Sequence, residues 1–473
     1  MQDYELGEES PGFEKALTFF DVTNITVGAI VGADIYIAAA ITAGILGPAS
    51  LVAWVVAGGL ATLLALTLAE CARLVPAVGG PYAYAHRAFG PLAGFLAGWS
   101  MWIAELTAIP VFAIAFTNYL GVLVHLDPAV ALVLRVTFVV GLTGVNVLSV
   151  RAAGRVNDAL TALKLLPLFA IVLVGGYHLA THPGVVAANL TPFAPNGFSG
   201  FSTALVLIFW AYAGFELTTV PTGEVRDPQR TIPRALAAGM AVVTLFYLTT
   251  NFVIYALIPS AELALSKAPL TLAATTLFGA GGVLLVTLGA IVSVTGSDES
   301  DILGSSRLAY AMAADGLLPH ALARLHPTRH TPHVALMTQA GIAIPLVFID
   351  QIGSLISFAV FNLTFAFLVS ALALIRLHRQ SDVSVGLLHR VLPFVALLIC
   401  LGLLIATPAQ ARASGVAVLL AGAVFYSVMA PGHLLPQAMS WITDTERALH
   451  RLARRRMRFL GGLVGWLGAR RSP

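Results

Sequence analysis

The sequence predicts an all-α integral membrane protein of twelve transmembrane helices, and three observations predict it. Of 473 residues, 58% are hydrophobic and only 10% are charged, where a soluble globule carries about a quarter charged residues. Long apolar runs recur along nearly the whole chain, each near the roughly 20 residues a membrane helix requires. The basic residues concentrate in every second gap between those runs, the pattern that orients a polytopic protein.

The runs fall at about 19–43, 47–74, 88–121, 129–149, 157–179, 199–222, 235–259, 274–312, 333–351, 354–376, 389–407 and 413–432. The third and eighth exceed what a bilayer needs and are expected to tilt or protrude. With the amino terminus inside, the inner segments hold 22 basic residues, while the outer loops hold only Lys267 and Arg412, and Arg135 and Lys164 fall within spans. That asymmetry predicts a multi-pass protein of the cell membrane with both termini cytoplasmic. Segment 1–16 is polar and acidic, without the basic-then-apolar order of a cleavable signal. A single membrane domain is expected over 17–432. After it, 433–473 mixes Trp441, Leu452, Phe459 and Trp466 with Arg447, Arg451, Arg454, Arg455, Arg456 and Arg458. Such a basic amphipathic tail suits the anionic lipid surface, as a passive anchor ahead of a regulatory element.

Several classes are disfavoured. Cys71 and Cys400 lie inside apolar runs and suggest neither disulfide nor metal site. No cofactor motif and no nucleic-acid module is evident, and nothing sets an oligomeric state. His125, His178 and His182 sit near outer loops, with no Ser–His pairing or His/Asp metal spacing that would recommend an enzyme.

Two runs carry an interruption that a plain spanning helix should lack. The first holds Gly28-Ala29-Ile30-Val31-Gly32-Ala33-Asp34-Ile35-Tyr36, and the sixth holds Trp210-Ala211-Tyr212-Ala213-Gly214-Phe215-Glu216. Glycine weakens helix there, and a carboxylate in hydrocarbon is costly unless it faces a cavity. Paired breaks five spans apart suit an unwound backbone that exposes amides and carbonyls at a mid-membrane site. The alternative is close helix packing at small residues with incidental acids.

Further stretches make a resemblance specific. They are Glu70 followed by Pro76-Ala77-Val78-Gly79-Gly80-Pro81-Tyr82-Ala83-Tyr84, then Phe89-Gly90-Pro91 and Gly98-Trp99. After the sixth run come Glu224-Val225-Arg226-Asp227-Pro228-Gln229-Arg230-Thr231-Ile232-Pro233-Arg234 and, later, Ser306-Arg307-Leu308-Ala309-Tyr310-Ala311-Met312-Ala313-Ala314-Asp315-Gly316-Leu317-Leu318-Pro319. In their order and spacing, from about Leu17 to Pro319, they resemble the amino acid–polyamine–organocation superfamily of transporters. The resemblance implies the leucine-transporter-like fold: a 5+5 inverted repeat (about 17–180 and 198–378) with broken helices 1 and 6, plus two additional C-terminal helices (about 389–432). It implies a secondary active transporter for an amino acid, polyamine or related amine, working by alternating access. Obligate exchange, or a transporter-like sensor or partner-dependent subunit, are the alternatives.

By the same resemblance, the backbone amides of Gly32, Ala33 and Asp34 hold a substrate carboxylate at a half-helix amino end. The carbonyls of Trp210 and Ala213 hold its amine beside Gly214. Trp210 matches an aromatic gate with a π face for a cation, and Tyr36 and Phe215 are further pocket candidates, Phe215 equally a packing residue. Lys164 resembles the lysine that sodium-independent members place where sodium-coupled ones bind the ion, which implies sodium independence with proton coupling.

Two departures add negative charge. Asp34 replaces a glycine usual in the family, and Ser297-Asp298-Glu299-Ser300-Asp301 stands where serine, asparagine and small residues are common. Asp34 reads as an amine clamp or proton carrier, or as an acid locked in a structural ion pair. Asp298 and Asp301 are expected on one helix face with Glu299 beside Asp298; pairing one of them with Lys164 would halve the charge problem and a shared proton would settle the rest, so that Asp298 or Asp301 reads as a proton or cation site, or equally as part of a purely structural network. Glu216 matches a position that bears on protonation, Glu105 is a further cavity candidate, and Arg135 is expected to pair with an acid or reach outward. The acid excess favours an amine-bearing or cationic substrate over an anionic one.

Overall fold

The computed structural model describes residues 17–76, 79–148, 150–219, 225–380 and 386–429, the side chains at 33, 36, 150–163 and 388 excepted. The basic tail expected over 433–473, and Ala77, Val78 and Glu224 of the quoted stretches, lie outside the described residues. Among the described residues every long element is helical. The first half comprises α1 (Phe19–Ile30), α2 (Ala33–Leu46), α3 (Ser50–Leu74), α4 (Pro81–Phe89), α5 (Pro91–Leu123), α6 (Pro128–Leu148), α7 (Val150–Thr181) and α8 (Pro183–Asn189). The second comprises α9 (Phe201–Ala211), α10 (Pro228–Leu257), α11 (Ser260–Leu265), α12 (Pro269–Ala314), α13 (His333–Leu346), α14 (Ile352–Gln380), α15 (Leu387–Ala406) and α16 (Ala409–Met429). Among the described residues nine stretches are long and apolar enough to cross a membrane, and Phe19–Ile30, Phe201–Ala211 and His333–Leu346 are shorter apolar helices.

Helix ends differ from the apolar runs where local chemistry overrides hydropathy. α10 begins at Pro228, well before the run at 235, because proline suits the first helical turn, and the polar Gln229–Arg234 segment then continues the same helix. The 46 residues of α12 are long for a different reason than tilt. Gly279, at φ 62° and ψ −151°, separates a short outer helix from the spanning one, a conformation that glycine adopts without steric cost.

α5 and α14 are the most enclosed spans, with α5 packed along both α12 and α14, and α10 along α1 and α3. α6 and α16 lie at the periphery. The side chains they and their neighbours expose are apolar, among them Val133, Leu173, Leu245, Leu398 and Val424. In a membrane such a surface faces lipid, and the polar groups turn inward.

One end of the bundle is tied by polar contacts. On α3, buried Glu70 takes Arg73 in a two-pronged ion pair at 2.6 and 2.9 Å and His378 of α14 at 3.3 Å. The Tyr82 hydroxyl on α4 donates to Asp315 Oδ2 at 2.5 Å, joining α4 to the end of α12, with His86 Nδ1 at 3.3 Å. Burial beside the Asp315 carboxylate pushes the Tyr82 phenol up, so it remains a donor, while burial lowers His86.

Candidate functional site

α1 ends at Ile30 and α2 begins at Ala33; between them Val31 (φ −75°, ψ 93°) and Gly32 (φ −131°, ψ −146°) leave the helix. The break frees carbonyls, and buried carbonyls must find donors. Gly28 O accepts Lys164 Nζ at 2.5 Å, Ile30 O accepts the Tyr247 hydroxyl at 3.0 Å, and Val31 O accepts Ser297 Oγ at 3.1 Å. Lys164 also donates to Ser297 Oγ at 3.3 Å. One ammonium on α7 thus joins the broken end of α1 to α12. A Cβ on Gly32 would lie 3.0 Å from Ser297, so the close approach of α12 needs a glycine there. The N-cap Gly32 has no side chain to cap the start of α2, and the Asp34 carboxyl meets its own main-chain amide at this positive dipole end.

The second break follows α9. Residues 212–216 turn, and Leu217–Thr219 form a single 3₁₀ turn. Gly214 sits at φ 112°, a region that disfavours any side chain, and its added Cβ would meet Ala29 O at 2.8 Å. The two breaks therefore touch through main chain. Glu216 folds back, both its carboxylate oxygens accepting the Gly214 N–H at 3.0 Å. Trp210 O accepts the Ala213 N–H at 2.9 Å and also the Tyr212 N–H at the end of α9.

A narrow cavity lies where the breaks meet. Ala29 and Asp34 line it from the first break, Trp210, Ala213, Gly214 and Glu216 from the second. α5 contributes Ala104, Glu105, Ala108 and Phe112, and α12 contributes Ser297, Ser300 and Asp301. Trp210 and Phe112 close one side with ring centres 6.0 Å apart. Among the described residues, four carboxyl groups line this space and no basic side chain does. A family model described as an amino acid permease matches residues 17–432.

The chain belongs to the amino acid permease family. The permease is 27% identical over 424 residues to the branched-chain amino acid permease BcaP of Bacillus subtilis, covering 84% of this chain and 89% of that one. It is 27% identical over 379 residues to the serine/threonine exchanger SteT of the same organism (79% and 85%). With the human cystine/glutamate transporter it shares 30% identity over 370 residues (75% and 72%). The family and these relatives are transporters, not enzymes, and the apolar helices suit a multi-pass membrane protein.

Within this permease, Asp34, Trp210, Ala213, Gly214, Glu216 and Asp301 line one cavity. Gly32 adjoins it through Ser297, and Lys164, 1% exposed, lies behind it. The side chains of Ala33 and Tyr36 lie outside the described residues. Phe215 stacks on Phe367 with centres 5.3 Å apart and is a packing residue. The cavity face of α12 is Ser297, Ser300 and Asp301, so Asp298 and Asp301 do not share it. Asp298 is buried off the cavity with neither oxygen hydrogen-bonded, and Glu299 turns toward Arg307. Lys164 donates to Gly28 O and Ser297 Oγ, and the Asp34 carboxyl acts on it electrostatically. Arg135 pairs with Asp350 at 3.1 Å and Thr117 at 3.1 Å, remote from the cavity acids. Glu105, whose register the sequence did not set, points into the cavity and interacts with Asp301. Ser297, Ser300 and Phe112 gave no sequence signal of their own, because which face of a helix lines a chamber depends on its neighbours.

Proposed function

We propose that the permease is a secondary active transporter that carries an amino acid or related amine across the cell membrane by alternating access, coupled to protons and independent of sodium. α1 with α2 count as one crossing, and α9 with the turn after it as another. With α3, α5, α6, α7, α10, α12, α13, α14, α15 and α16 this makes twelve, with the breaks in the first crossing of each five-helix repeat. The repeats cover about 17–180 and 198–378 and the extra pair about 389–432, and the inner concentration of basic residues supports cytoplasmic termini.

The observation that carries the reading is the bridge from Lys164 Nζ to Gly28 O and Ser297 Oγ. A carbonyl and a hydroxyl at the junction of α1, α7 and α12 are oxygen ligands suited to a small cation, and here a tethered ammonium takes them. Its charge acts on Asp34 at the cavity wall, and the two groups exchange a proton as the cavity changes its exposure. The substrate carboxylate sits at the positive end of α2, and its amine meets Asp34 under the Trp210 ring. The amino acid substrates named for the relatives support this class of cargo.

Uptake of labelled amino acids and amines into proteoliposomes tests it. An inward proton gradient is expected to drive accumulation, and an inward sodium gradient without one is expected to leave uptake unchanged. Strict sodium dependence overturns the assignment. Obligate exchange is the second reading, supported by the exchanger among the relatives; counterflow without any net uptake selects it.

A further inference from the structure

We propose that Glu105 and Asp301 form a subsite for a second positive charge on the substrate, so that the permease selects amino acids with a basic side chain, or diamines, over neutral ones. The inference rests on the transport reading above and adds the substrate class.

The four cavity acids are not equivalent. Glu216 is engaged by the Gly214 N–H within the second break. Asp34 stands beside the first break, within the field of Lys164. Glu105 on α5 and Asp301 on α12 stand on two other walls, each 6% exposed, and interact with one another. Glu105 Oε1 and both Asp301 oxygens meet no donor outside the pair, and the two carboxyl groups are within hydrogen-bonding reach of each other. Two carboxyl groups are acceptors when ionised, and neither can satisfy the other unless a proton lies between them. Buried acceptors without donors are costly, and two like charges side by side in a dry cavity are costlier still. A cation placed between them relieves both.

The cavity's shape brings such a cation from the substrate. The α-amino and α-carboxyl groups belong at the two breaks, beside the start of α2 and the Trp210 ring. The side chain then extends toward α5 and α12, where Ala104 and Ala108 present small side chains to the cavity. Phe112 and Trp210 flank the side chain with π faces that favour a cation over a bare apolar tip. An ammonium at its end meets Glu105 and Asp301 together. A proton held between the two carboxyl groups stands in when no such substrate is bound and passes to water on the side from which the ammonium arrives.

Lysine and norleucine separate this from generic binding, because they differ at the end of the side chain by the ammonium group. The expected result for the intact protein in proteoliposomes is at least about tenfold preference for lysine over norleucine, as charge-assisted hydrogen bonds give. 1,4-Diaminobutane is expected to compete with lysine. Glu105→Gln and Asp301→Asn each keep the side-chain shape and are expected to cut the lysine-to-norleucine ratio about tenfold. Two variants on different helices keep the test open should one fail to fold. Norleucine uptake with a wild-type ratio near one overturns this inference and leaves the transport reading standing, as does a ratio that both variants preserve. No uptake of any amino acid or amine overturns both.

Discussion

Lys164→Ala is expected to reduce uptake at least about 100-fold while the purified protein remains folded. The side chain is fully enclosed, and its ammonium serves Gly28 O, Ser297 Oγ and the field on Asp34 at once. Removing it strips a buried carbonyl of its donor, at a cost of about 1–3 kcal/mol. It also removes the positive charge that acts on Asp34 at the cavity wall. Each 1.4 kcal/mol is tenfold in a binding constant, so a loss of about 3 kcal/mol at the site accounts for the expected drop. Proteoliposome uptake beside a melting curve of the same sample checks it. Uptake within about twofold of the parent, with the protein folded, contradicts a role for this lysine in the cycle.

Gly214→Ala is expected to be strongly damaging, lowering both folded yield and uptake. At φ 112° an L side chain is strained, at a cost of about 1–3 kcal/mol. The new Cβ would also lie 2.8 Å from Ala29 O and 2.9 Å from Ala29 C. Those atoms are main chain, so trimming residue 29 to glycine gives no relief, and the first break must move away from the second. Gly176→Ala on α7 is the matched control: its Cβ meets nothing within 4 Å, and alanine is the better helix former by about 1 kcal/mol. Thermal unfolding and uptake of the two variants side by side test the contrast; equal behaviour contradicts the claim that the breaks depend on this backbone contact.

Both breaks were legible in the sequence because their signals are local. Glycine and a carboxylate inside an apolar run conflict with a plain span wherever the neighbours lie, and Gly32–Asp34 and Gly214–Glu216 both showed that conflict. The helix faces were not legible in the same way. Asp298 and Asp301 are three residues apart on an uninterrupted helix, and the rotation that turns Ser297 and Asp301 inward is set by how α5 and α7 pack on α12. Glu105 is the same case on α5. Gly279 was hidden for another reason: a lone glycine in a long apolar run reads as ordinary helix packing, and only its φ reveals the bend. The polar start of α10 was lost to a hydropathy reading that sees spans rather than helices. Lys164 was the reverse case, a single ammonium in hydrocarbon whose position alone demanded partners, and a carbonyl and a hydroxyl are among them.

The claim that most depends on the structure is that the cavity between the breaks is where the cargo sits. Ser300→Cys tests it directly. Ser300 lines the cavity, the substitution is nearly isosteric, and the native Cys71 and Cys400 are both buried and give little background. A small polar thiol reagent is expected to label the new cysteine and block uptake, and a transported amino acid is expected to slow labelling in proportion to its occupancy. Labelling that the transported substrate leaves unchanged, with uptake still running, would place the substrate elsewhere and contradict the account.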